Sequence, residues 1–143
     1  MCCPGISRTN WPSSGWAERN KGAAMLKISL RIYRGGEIAM GPGKADLLDA
    51  IGREGSISGG ARALGMSYRR AWLLVDTMNR CWHSPLVATT PGASHGGGAR
   101  VTPLGEDVLA RYRALQQVAA GATAAGGQEL ETLLRAAEET GPA

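Results

Sequence analysis

"SISGGARALGMSYRRAWLLVDTMN", residues 56–79, carries two apolar patterns of helical period separated by a single glycine. Ile57, Ala61 and Leu64 fall at i, i+4 and i+7, the inner face of a short helix to which Ser56 or Ser58 offers a capping hydroxyl. Gly65 then ends that helix, because a residue without a β-carbon reaches positive φ at little cost. Ser67 caps the next helix, whose stripe Ala71, Leu74, Val75 and Met78 repeats at i, i+3, i+4 and i+7. With that stripe turned inward, Arg69, Leu73, Asp76 and Arg80 project outward and Arg70 lies on the flank.

The flanking sequence extends this helical pair in both directions. Upstream, Leu47, Leu48 and Ile51 share one face of a helix predicted over Lys44 to Glu54, with Pro42 placed for entry and Gly55 for a left-handed C-cap. Before it, "LKISLRIY" (26–33) alternates apolar and polar residues as a half-buried strand does, and "RGGEIAMGPG" breaks the chain. Downstream, "LVATT" and "ARVT" are β-prone runs joined by "PGASHGGG", a hairpin with a flexible tip. Thr102 as N-cap and Pro103 at the first helical position then open a longer helix carrying Leu104, Val108, Leu109, Tyr112, Leu115 and Val118.

The predicted fold is therefore mainly α with a small β wing, in the order β-α-α-α-β-β-α, which is the order of a winged helix-turn-helix. Residues 25–120 form that domain. Residues 1–24 mix Pro, Gly, Ser and Trp without a period and read as a disordered leader, with Met25 as a possible physiological start. Residues 121–143 read as a flexible acidic tail, in which "GATAAGG" is a linker and "QELETLLRAAEE" a short helix.

Composition narrows the function. At 143 residues and 43% hydrophobic content the chain supports one modest core. The middle, residues 25–120, holds twelve basic and seven acidic side chains, whereas residues 121–143 hold one and four. A basic middle suits a polyanionic partner. Cys2, Cys3 and Cys81 are too few for a disulfide framework and read as reduced thiols of a cytoplasmic protein, Cys81 as a small buried residue. No Cys/His pattern has metal-ligand spacing, no Ser/His/Asp or Cys/His set supports an enzyme, and no cofactor is expected. His83 and His95 have no partners for chemistry and read as structural or exposed. No run of about 18 apolar residues suggests a membrane partner.

The start of the third helix carries the chemistry that a polyanion needs. The major groove of duplex DNA admits one α-helix and presents a distinct donor and acceptor pattern for each base pair. Ser67, Tyr68, Arg69 and Arg70 bring to it a hydroxyl, a phenol and two guanidinium forks that fit phosphate or the O6/N7 edge of guanine. Tyr68 either contacts DNA or packs on the second helix. Trp72 and Leu73 either pack on the wing or a partner subunit or contact DNA, and Arg100 either reaches a phosphate across the minor groove or faces solvent.

The block "ARALGMSYRRAW", with "GASHGGGARVT" and "PLGEDVLARYRAL" after it, resembles the N-terminal DNA-binding domain of ModE-type molybdate-responsive regulators, a cousin of the LysR-type winged helix. The resemblance covers about residues 25–118. It implies double-stranded DNA with a pseudo-palindromic operator as the partner, and a role in molybdenum-related gene regulation. It carries DNA contact onto Ser67, Tyr68, Arg69, Arg70, Ser94, His95 and Arg100, and homodimerisation onto Leu30, Ile32, Val108, Leu109, Tyr112 and Leu115. The chain departs from the family pattern in two ways. Gly59 and Gly60 stand where the family has alanines, which predicts a less stable second helix. After Val118 there is no room for the family's molybdate-binding module, so the expectation is a regulator lacking it. An alternative is a winged-helix interaction module that pairs with a separate molybdate-sensing or full-length regulator subunit.

Overall fold

The computed structural model describes residues 25–90 and 98–135. The expected leader, the wing-tip residues Ser94 and His95, and the last residues of the expected tail lie outside the described residues. The elements are β1 (Ile32–Arg34), β2 (Glu37–Met40), α1 (Pro42–Glu54), α2 (Ile57–Ala63), α3 (Tyr68–Cys81), β3 (Val87–Thr90), β4 (Gly98–Val101) and α4 (Pro103–Glu131). This is a winged helix-turn-helix, with one strand more than the sequence predicts.

That extra strand comes from "RGGE". Gly35, at φ 60°, and Gly36 make a two-residue hairpin turn, and β1 pairs antiparallel with β2 through Arg34–Glu37 and Tyr33–Ile38. Of the strand expected over residues 26–33, residues 26–31 have no regular structure and Ile32 and Tyr33 lie in β1. Alternation alone does not make a strand; its backbone groups need a neighbour, and here the Leu30 carbonyl accepts from the Tyr112 hydroxyl at 2.8 Å instead.

The helical pair forms as its residues dictate. Ser56 Oγ accepts from the Gly59 amide at 2.9 Å to open α2, and Ser67 Oγ accepts from the Arg70 amide at 3.1 Å to open α3. Gly65 between them has φ 67°, and Gly55 closes α1 at φ 74°. One core joins the three helices: Leu47, Leu48 and Ile51 of α1, Ile57 and Ala61 of α2, and Ala71, Val75 and Met78 of α3, closed by Met40, Leu86 and Val87.

Gly59 and Gly60 do more than loosen a helix. A β-carbon on Gly60 would stand 2.9 Å from Ile51 Cγ1 and 3.2 Å from the Ile51 nitrogen; on Gly59 it would stand 2.8 Å from Glu54 Cβ. Both glycines are buried, and their lack of a side chain lets α2 approach α1 closely.

The long helix corrects the expected boundary at residue 120. α4 runs unbroken through "GATAAGG" to Glu131. Five alanines between 119 and 125, the best helix formers, offset glycines that each disfavour helix by about 1 kcal/mol. Gly127 is buried beneath Leu26, whose Cδ2 a β-carbon there would meet at 3.0 Å. Arg113 ties α4 to α1, with Nη2 at 2.9 Å from Asp46 and 2.7 Å from Asp49. Burial opposes its charge, but the hydrogen bonds it donates to Asp49 and Asp46 raise its pKa above the usual arginine value.

Candidate nucleic-acid interface

The first turn of α3 stands clear of the domain. Ser67, Tyr68, Arg69 and Arg70 are all exposed, because the inward stripe of Ala71, Val75 and Met78 turns them outward. Neither the Arg69 nor the Arg70 guanidinium has a hydrogen-bond or ion-pair partner among the described residues. Further along the helix the picture changes. Arg80 bonds Glu37 on β2 at 3.0 Å and Asp76 at 3.0 Å, and these bonds, Glu37 first, raise its pKa. Among the arginines of α3, the uncommitted ones are thus those of the first turn.

Tyr68 is 53% exposed, and its hydroxyl accepts a hydrogen bond from the Trp72 indole N–H one turn later. Trp72 and Leu73 keep exposed surface on α3. Lys44, near the start of α1, adds a cation that the sequence pattern did not mark. Its pKa is lowered, by burial first and by the Arg70 charge in addition, against opposing effects of Cys81 and Glu37.

The wing is fixed beside α3 by backbone ties that no hydrophobic period reveals. Asn79, near the end of α3, accepts from the Leu86 amide at 2.9 Å and the Val87 amide at 3.1 Å, and donates to the Val87 carbonyl at 3.1 Å. The Ala99 amide on β4 donates to the Gly55 carbonyl at 2.9 Å, anchoring the second wing strand to the end of α1. Thr102 caps α4 while its hydroxyl donates to the Pro85 carbonyl at 2.8 Å. β3 and β4 pair in register, Ala88 with Arg100, and the Arg100 side chain is exposed on this ribbon.

The residues expected at a dimer surface divide. Ile32 and Leu115 are exposed; Leu30 and Leu109 are half-buried against the core. Val108 and Tyr112 belong to the core itself, at 7% and 1% exposure, so the helical period that marked them marks an inward face of α4. Cys81 is half-buried rather than buried, with Sγ 3.8 Å from Glu37 Oε2, and His83 is exposed beside the Ser84 hydroxyl. Among the described residues no cluster of side chains has a metal-holding arrangement, and no helix is long and apolar enough to cross a membrane.

No family model matches the chain. Among curated proteins, the molybdenum-pterin-binding protein MopA of Rhodobacter capsulatus is 41% identical over 91 residues, covering 64% of this chain and 34% of MopA. The DNA-binding transcriptional dual regulator ModE of Escherichia coli (strain K12) is 38% identical over 95 residues, 66% of this chain and 36% of ModE. Among solved structures, the full-length LTTR LysG from Corynebacterium glutamicum matches 64% of this chain and 29% of its own length, at 25% identity and a TM-score of 0.47. The chain spans about a third of the length of the curated relatives. Over the shared stretch it is a homologue of the N-terminal region of ModE-type regulators, built as a winged helix-turn-helix.

Proposed function

We propose that this chain is a sequence-specific DNA-binding regulator of transcription. The observation that carries the reading is the capped, exposed first turn of α3, whose two guanidinium groups have no partner among the described residues. Unpaired arginines at the start of a helix that protrudes from a rigid support fit guanine edges and phosphates in the major groove. Arg100 on the wing contacts a phosphate, as do the tip residues Ser94 and His95. Phosphate neutralisation by the basic face supplies affinity and the α3 turn supplies base choice. The relative ModE is a DNA-binding transcriptional dual regulator, which supports this reading, and the molybdenum-pterin-binding relative MopA favours molybdenum-related genes as the targets.

The operator-bound form is a two-fold dimer. Leu115, Val118 and Leu130 leave apolar surface exposed along α4, and Ile32 is exposed on β1. Such a dimer reads half-sites about one helical turn, roughly 34 Å, apart. The test is titration of the chain with a duplex selected from a randomised pool and with a shuffled duplex of equal composition. Preference for the selected site by about a thousandfold is expected; equal affinity for both refutes base-specific recognition.

A further inference from the structure

Resting on the DNA-binding reading, we infer that Trp72 is a positioning residue that makes the Tyr68 hydroxyl a donor-only probe of base edges. A phenolic oxygen both donates and accepts. Here the acceptor side is taken, because the Trp72 indole N–H, which can only donate, is bonded to the Tyr68 oxygen. The phenolic proton is therefore the group left to present outward. Both side chains are exposed, Tyr68 at 53% and Trp72 at 41%, so the pair sits on the open surface of α3 and not in a core.

Spacing explains why the two residues form a unit. Tyr68 and Trp72 stand at i and i+4 on the helix, next to the outward row of Arg69 and Leu73. Tyr68 is the first residue of α3, in the turn that approaches bases most closely. A donor-only hydroxyl accepts no bond from adenine N6 or cytosine N4. It favours edges that offer an acceptor: a purine N7, guanine O6 or thymine O4. Without Trp72 the same hydroxyl rotates to donate or accept and loses that discrimination. Trp72 thus selects the base through Tyr68 without contacting it.

The experiment compares the intact chain with Trp72→Phe, Tyr68→Phe and the double variant, each selected on randomised duplexes and then titrated on single-base variants of the chosen site. Trp72→Phe keeps an aromatic ring and removes the indole donor together with part of the ring surface. It is expected to reduce discrimination at one base position by about fivefold, the worth of one net hydrogen bond, with unchanged salt dependence. Tyr68→Phe is expected to lose the same discrimination, and the double variant no more than Tyr68→Phe alone. An unaltered base profile in Trp72→Phe, additive losses in the double variant, or a uniform loss over all sequences would each overturn the inference. An intact chain that selects no sequence sinks the DNA-binding reading with it; a selective intact chain beside an unaltered Trp72→Phe sinks this inference alone.

Discussion

Replacing Asn79 with alanine tests how the wing is held. Its side-chain amide satisfies the amides of Leu86 and Val87 and the carbonyl of Val87, whose residues are 0% and 2% exposed. Each bond contributes about 1 kcal/mol net, giving about 3 kcal/mol for the three. Asn79 itself is half-buried, so water recovers part of this, and the expected loss is about 2–3 kcal/mol. Asn79→Asp keeps both accepting bonds and loses the donating one, so it is expected to cost about 1 kcal/mol. Urea unfolding gives both values if the m-value is unchanged. An alanine variant within about 0.5 kcal/mol of the parent, or an aspartate variant as unstable as the alanine, refutes the assignment of Asn79 as the anchor between α3 and β3.

Arg69→Ala and Arg70→Ala are each expected to weaken specific binding by about 1–3 kcal/mol and relax base preference, and a gel-shift titration with an unchanged preference contradicts the base-reading role. Gly60→Ala sets a helix-propensity gain of about 1 kcal/mol against an overpacking cost of about 1–3 kcal/mol from the collision with Ile51; net destabilisation is expected on thermal unfolding, and a stabilised variant contradicts the close approach of α1 and α2. Tyr112 has its pKa raised above 10.0, by burial first and by the Asp46 charge in addition, against Arg113 and Arg31. Its contribution is therefore complete below pH 10 and lost as pH rises through the raised folded-state value, because the unfolded chain gives up that proton first. Tyr112→Phe is expected to cost about 1 kcal/mol at neutral pH and to flatten this alkaline loss, and a variant with the same alkaline slope as the parent refutes it.

The helix-turn-helix was legible in the sequence because each of its parts has a local cause: a serine hydroxyl at the N-caps of α2 and α3, a left-handed glycine after α1 and after α2, and an apolar period through each helix. The features missed were those decided by distant neighbours. "RGGE" has the two-residue glycine turn of a hairpin, yet the short "EIAM" run after it carries too little alternation to mark a strand. Leu26 and Leu30 alternate like strand residues but lie along α4, a long-range arrangement on which period is silent. Val108 and Tyr112 share a helical face with Leu104, and only the fold reveals that this face meets the core. Asn79 and Lys44 follow no periodicity, so a single sequence gives little sign of them; the Asn79 ties span seven or eight residues and close only when β3 docks.

Guanine N7 lies in the major groove and adenine N3 in the minor, so methylation interference on a selected duplex shows which groove the chain enters. Entry of the α3 first turn predicts that N7 methylation of specific guanines blocks binding by the intact chain, and that Arg69→Ala or Arg70→Ala is no longer sensitive at one of those guanines. Full binding to N7-methylated duplex, with interference confined to adenine N3, would contradict it.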